Sequence, residues 1–82
     1  MKTEECGESI STYVAFYGGK IAPVGFKWRG KLYDKLEVCA SWNKYEGEAK
    51  LIYFTLLKWR TVYEVCFNTR SLIWTLIRIH YN

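Results

Sequence analysis

The sequence predicts an all-β protein: a single five-stranded, antiparallel, strongly bent sheet, or a small barrel in the style of SH3-like and OB-like barrels. Residues 26–33 alternate apolar and charged side chains on both sides of Gly30, as a β-hairpin with one apolar and one basic face does. Hydrophobic residues make up 50% of the 82-residue chain and aromatic residues 18%. This composition is rich enough to build a core in one small domain, and it argues against intrinsic disorder.

The third observation is a change in the parity of the apolar positions. With a two-residue turn, Tyr33 lies opposite Phe26 and faces the core, yet the apolar residues that follow Tyr33 occupy even positions. A change of parity inside a strand requires a bulge or bend, here near residues 34–35. Small barrels turn their corners with such bends.

The N-terminal part of the chain carries the weakest pattern. Residues 1–9 are polar and suggest a loose tail, whereas residues 10–17 could form a short strand or a segment that orders only on a partner. A glycine pair then interrupts the chain. We therefore expect a flexible or partner-ordered segment over residues 1–20 and a small β domain over residues 21–82.

The first two predicted strands form the hairpin around Gly30. The first covers residues 22–29 and carries Pro23 near its start, where a missing N–H costs least. The second covers residues 31–42. The even positions that we assign to the core of these two strands are Val24, Phe26, Trp28, Leu36, Val38, Ala40 and Trp42.

Three further strands are predicted after a polar loop at residues 43–48. They cover residues 49–58, 61–67 and 72–81, with a turn at residues 68–71. The segment 49–58 has some helical spacing, but its aromatic and β-branched content favours a strand. Because the third and fifth strands are apolar on both faces, we expect something to cover their outer side.

The net charge of +4 is unevenly distributed. Residues 1–20 carry two lysines and three glutamates (2 − 3 = −1), and residues 21–82 carry ten basic and five acidic side chains (10 − 5 = +5). A basic domain suits nucleic acid or another polyanion. The alternative is a charge that keeps an aromatic-rich domain soluble.

The sequence offers almost no catalytic chemistry. Its three cysteines form neither a disulfide framework nor a CxxC pair, and His80 is the sole histidine. Cys39 or Cys66 with His80 would be a minimal nucleophile–base pair, but nothing in the sequence places them together. We predict no enzyme, no metal and no cofactor. The acidic start, the lack of a long apolar run and the unpaired cysteines predict a cytoplasmic protein without a membrane segment.

Aromatic and basic side chains suggest a binding role instead. We assign Trp28, Trp42 and Trp74 to the core and leave the exposure of Trp59 open. The candidate anion- or nucleic-acid-binding residues are Lys27, Arg29, Lys31, Arg78, Trp59 and Arg60.

Two functional hypotheses follow from these patterns. The first is a nucleic-acid or nucleoprotein-binding module. In it, one continuous positive surface is formed by Lys27, Arg29, Lys31 and Arg78. The second is a protein-interaction or homo-oligomerising module, motivated by the surplus of apolar residues on the third and fifth strands.

Four sequence patterns resemble a family of small, uncharacterised bacterial domains. They are Pro23-x-x-Phe26-x-Trp28-Arg29-Gly30-Lys31-x-Tyr33, Leu36-x-x-x-x-x-Trp42, Val62-Tyr63-Glu64-Val65 and Trp74-x-Leu76-x-Arg78-Ile79. The family pattern has Arg where this chain has Lys31. The resemblance covers residues 21–82 and implies an all-β domain of unknown function. Some members lie beside, or are fused to, error-prone polymerase-like proteins, which implies a link to a repair complex. The family has no catalytic residues to carry over.

Overall fold

The computed structural model describes residues 2–82, and Met1 lies outside the described residues. Residues 2–82 form seven strands: β1 (Lys2–Tyr17), β2 (Lys20–Trp28), β3 (Lys31–Tyr33), β4 (Glu37–Glu46), β5 (Ala49–Lys58), β6 (Thr61–Asn68) and β7 (Trp74–Tyr81). They make one antiparallel sheet in the order β3-β2-β1-β7-β6-β5-β4. The predicted all-β class and single antiparallel sheet are confirmed. The predicted number of five strands is wrong, and the sheet is not closed into a barrel.

The first additional strand is β1, in the segment expected to be flexible or partner-ordered. Within the described residues, the loose tail predicted for residues 1–9 is wrong, because β1 lies inside the sheet between β7 and β2. Two of its inward positions are occupied by Glu4 and Glu8. Because these residues are charged, the alternation of apolar and polar side chains that predicts a strand is missing from the sequence here. Tyr81 donates a hydrogen bond to Glu4 (Oη–Oε1, 2.9 Å) and Trp28 donates one to Glu8 (Nε1–Oε1, 2.9 Å). These donors satisfy the two carboxylates.

The second additional strand arises because the predicted strand 31–42 divides into β3 and β4. Lys35 has a φ of +55° in the link between them, so the bend predicted near residues 34–35 is confirmed. The link passes close to β2 at Gly25, where an added Cβ would lie 3.0 Å from the carbonyl oxygen of Tyr33. The absence of a side chain at Gly25 therefore leaves room for the link between β3 and β4 to pass close to β2.

The polar loop predicted at residues 43–48 is shorter in the structure. β4 continues to Glu46, and a two-residue turn that begins with Gly47 (φ +61°) leads into β5. The β5 strand has the predicted bounds of 49–58, so its strand assignment over a helix is confirmed. Polar residues are tolerated in β4 because every residue of this strand is exposed.

The core lies on the concave face of the sheet. Its fully buried side chains include Phe26, Leu56, Val65, Leu76 and Ile79. Tyr33 stacks on Phe26 with their ring centroids 5.0 Å apart, as the two-residue turn predicted.

The assignment of tryptophans to the core is confirmed at Trp28 and Trp74, which are 7% and 9% exposed. It is wrong at Trp42, which is 45% exposed and stacks on Tyr53 (centroids 5.5 Å apart). Cys39 causes the difference: it is the extra residue of a bulge in β4, and it reverses the parity of the positions after it.

The sheet stays open between β2 and β4. Their approach is held by one backbone hydrogen bond, in which Leu36 N–H donates to the carbonyl oxygen of Val24 (3.1 Å). Beyond this point the two strands do not pair, and a groove separates them. No helix long and apolar enough to cross a membrane occurs within residues 2–82.

Candidate functional site: an open groove between two strand edges

Arg29, one of the predicted anion-binding residues, is engaged by a carboxylate of the same chain. Its Nη2 lies 2.6 Å from Glu8 Oε2, and its guanidinium lies over the ring of Trp28 (4.5 Å to the centroid). Hydrogen bonds from Arg29 and Trp28 lower the pKa of the Glu8 carboxyl. Arg29 therefore balances the charge of Glu8 as well as facing solvent.

Arg78, a second predicted residue, lies between two carboxylates. It forms ion pairs with Glu5 (Nε–Oε2, 3.1 Å) and with Glu64. It lies opposite Glu5 on β1, whereas Lys27 lies opposite Ser11, six positions further along the same strand. This separation is roughly 20 Å at about 3.3 Å per residue. The structure does not bring these cations together as one uninterrupted group of free charges.

Trp59 and Arg60 form the two-residue turn between β5 and β6. The Trp59 side chain is 87% exposed, which answers the question that the sequence left open, and its backbone has a φ of +61°. Trp59 borders a shallow pocket together with Lys35 and Lys58. Lys58 is paired with Asp34 (3.3 Å). This end of the molecule thus combines one exposed indole with several cations.

A concave groove lies between β2 and β4. On the side of β2 that faces the groove, β3 pairs only with residues 26–28, so Lys20 to Gly25 have no strand partner there within the described chain. On the opposite side, β4 is the last strand of the sheet, and its outer edge is likewise unpaired in residues 2–82. Apart from the Val24 carbonyl, which is bonded to Leu36, two strand edges without a strand partner therefore face one another.

The groove measures about 1090 Å³ and has an apolar floor with basic residues at its rim. Its lining residues are Tyr17, Gly19, Lys20, Ile21, Ala22, Val24, Lys35, Leu36, Glu37, Val38, Cys39, Ala40, Ser41, Asn43, Lys50, Ile52 and Phe54. The charged members are three lysines and one glutamate. None of these four side chains belongs to an ion pair among the described residues.

The structure does not assemble the nucleophile–base pair considered from the sequence. Cys66 lies opposite Thr75 on β7. His80 is five positions further along β7 than Thr75, which is roughly 16 Å at about 3.3 Å per residue. Burial raises the pKa of the Cys66 thiol, so this side chain is held protonated. Cys66 is buried, whereas Cys39 is exposed on β4.

Metal-binding side chains are also scattered. Among residues 2–82, no group of three or more His, Cys, Asp or Glu side chains is placed to hold a metal ion. His80 instead lies beside Thr3 (Nδ1–Oγ1, 3.1 Å) and near Glu64 (Nε2–Oε1, 3.6 Å).

Sequence reasoning missed the groove and its lysines at positions 20, 35 and 50. The sequence shows that these positions are lysines. It does not show that they lie together, because that depends on which strands form the two edges of the groove. No local sequence pattern predicts where the two edges lie, because a strand is an edge only when no other strand of the folded chain pairs with it.

Comparison with protein-family models, curated proteins and solved structures gives no significant match to this chain. The resemblance to small bacterial domains therefore stays a prediction from the sequence patterns alone.

Proposed function

We propose that this protein is a non-catalytic module that binds an extended segment of a partner protein in the groove between β2 and β4. The observation that carries the proposal is the pair of unpaired strand edges that face one another across an apolar floor. An exposed strand edge is a template for pairing with another chain, and many peptide-binding domains add a ligand strand in this way.

The chemistry of the groove favours a polypeptide over other ligands. Its volume of about 1090 Å³ exceeds the roughly 300–1,000 Å³ range of small-molecule pockets, and the groove is open to solvent. An extended peptide presents alternating N–H and C=O groups that satisfy both strand edges. A nucleic acid has no such regular backbone of donors and acceptors.

The first prediction concerns the location of binding. Random peptides displayed on phage should yield binders that slow amide hydrogen exchange in residues 20–24 and 37–43, measured by mass spectrometry or NMR. Ser41 lies in the groove and faces the β5 position Phe54. A Ser41→Arg substitution should fill the groove and weaken binding at least about tenfold, or roughly 1.4 kcal/mol.

Ser9→Arg is the matched control, because Ser9 is exposed on β1 away from the groove. This variant should bind the selected peptides like the original protein. Failure to select any peptide, or protection confined to other strands, would contradict the proposed function.

A second candidate function is single-stranded nucleic-acid binding at the β5–β6 turn. The observation that favours it is the 87% exposed indole of Trp59 beside Arg60 and near Lys35. Aromatic side chains flanked by cations stack bases, at roughly 1–3 kcal/mol per base.

This candidate predicts that a fluorescent single-stranded oligonucleotide binds at about 50 mM salt and is released as salt rises. Trp59→Ala and Arg60→Ala should each weaken that binding in fluorescence anisotropy. Arg70→Ala is the control, because Arg70 is exposed and paired with Glu48 at a different turn. An absence of binding at low salt rules out this candidate.

A further inference from the structure

We infer that the partner segment held in the groove is an acidic strand with apolar side chains at alternating positions. This inference rests on the proposed peptide-binding function and adds the chemistry of the ligand. It is carried by two features of the groove that are independent of the strand edges: its surplus of unpaired lysines and its apolar floor.

The basic rim is the first feature. Lys20 comes from the start of β2, Lys35 from the link between β3 and β4, and Lys50 from β5, so three separate parts of the chain bring a lysine to the groove. Glu37 is the single acidic residue in the lining. A ligand with carboxylates complements this net positive charge and avoids placing like charges together.

Several cations of the molecule are already neutralised by the chain itself. Three of the four arginines, together with Lys58, are paired with carboxylates of the same chain in the described structure. The groove lysines have no such partner among residues 2–82. Their charge is therefore available to a carboxylate from outside.

The apolar floor is the second feature. Ile21 on β2 and Ile52 and Phe54 on β5 line the groove, and the two β5 residues are separated by one position. A strand directs alternate side chains to one face, so every second residue of an inserted strand would contact this floor. The stretch of β2 without a strand partner on this side is six residues long (20–25), which at about 3.3 Å per residue accommodates a short segment of comparable length.

Matched synthetic peptides test the inference. Three short capped peptides alternate valine with glutamate, with glutamine or with lysine, and their binding is measured by fluorescence anisotropy at low and high salt. The glutamate peptide should bind about tenfold tighter than the glutamine peptide, and the lysine peptide should bind more weakly than both. The advantage of glutamate should shrink as salt screens the charges.

Charge-reversed variants assign the effect to the groove. The pair Lys20→Glu with Lys35→Glu should abolish the preference for the glutamate peptide. The control pair, Lys27→Glu with Lys31→Glu, makes the same change in net charge outside the groove and should retain the preference. N-methylation of alternate peptide amides should remove binding, because it blocks backbone pairing.

The outcomes separate this inference from the proposed function. Equal binding of the glutamate and glutamine peptides overturns the acidic ligand but leaves peptide binding intact. If none of the peptides binds and phage selection also fails, the proposed function itself is wrong. Displacement of the glutamate peptide by an oligonucleotide, or a dimer in sedimentation with the groove amides protected without peptide, identifies a different occupant and overturns the inference.

Discussion

Two partly buried glutamates on the inward face of β1 form hydrogen bonds to side chains of other strands. Glu4 accepts a hydrogen bond from the phenol of Tyr81, and Glu8 accepts one from the indole of Trp28 and pairs with Arg29. The bond to Glu4 raises the pKa of Tyr81 to about 12 from its ordinary value of 10.0. A neutral phenol beside this carboxylate is therefore a stabilising contact between the N- and C-terminal strands.

This contact predicts a specific loss of stability in alkaline solution. The pKa of Tyr81 is higher in the folded protein than in the unfolded chain, so its contribution is complete below about pH 10 and is lost as pH rises through about 12. Tyr81→Phe should lower the free energy of unfolding at neutral pH by about 1 kcal/mol. The variant should also lose less stability than the original protein between about pH 10 and pH 12.

Urea unfolding at a series of pH values measures both effects. Tyr45→Phe is the control, because Tyr45 is an exposed tyrosine on β4. It should reproduce the pH profile of the original protein. An unchanged alkaline loss in Tyr81→Phe would show that the bond to Glu4 does not stabilise the fold.

At the scale of elements, β1 decides whether the sheet is continuous. Its first half pairs with β7 and its second half pairs with β2, so one bent strand joins the two parts of the sheet. The bend includes Gly7, whose φ of +64° lies at an irregularity in the pairing with β7. Glycine adopts this left-handed conformation without the cost that other residues incur.

The position of β1 predicts that residues 21–82 do not fold alone. Without β1, both β2 and β7 lose a neighbour, and the packing of Ile10 and Val14 against the core is lost. Such a loss exceeds what a protein with roughly 5–15 kcal/mol of net stability tolerates. Circular dichroism and NMR of the fragment should show no cooperative thermal unfolding and little dispersion of amide signals.

Complementation provides the control for this prediction. A synthetic peptide of residues 1–20 added to the fragment should restore dispersed signals, since it supplies the missing strand. A fragment that unfolds cooperatively by itself would show instead that residues 21–82 are an autonomous domain.

The whole molecule is an antiparallel sheet that curls around one core and stops short of closing. The single hydrogen bond from Leu36 to Val24 holds one end of the opening. The remaining length leaves two strand edges free, which compact β proteins usually cover or protect with charges. Lysines at the rim fit such protection against aggregation, and they also fit recognition of an acidic strand. The two roles are compatible, because the same charges repel unsuitable chains and attract a suitable one.

Local patterns in this chain predicted local structure well. The bounds of β5, the pairing of Phe26 with Tyr33 and the bend near Lys35 all follow from side-chain alternation and turn geometry, which involve neighbouring residues. The errors occurred where one residue altered the alternation. The extra residue Cys39 in β4 exposed Trp42, and the hydrogen-bonded glutamates disguised β1 as a polar tail.

The sequence by itself determined the all-β class, the first hairpin and most of the strands, because alternation and turns are encoded within a few residues. Only the tertiary structure decided which strands are neighbours, where the sheet remains open and which cations are neutralised. Arg29 meets Glu8 and Arg78 meets Glu5 across long stretches of chain, and Lys20, Lys35 and Lys50 meet only at the groove. These relations depend on non-local strand pairing, and the groove that forms the candidate site is one of its results.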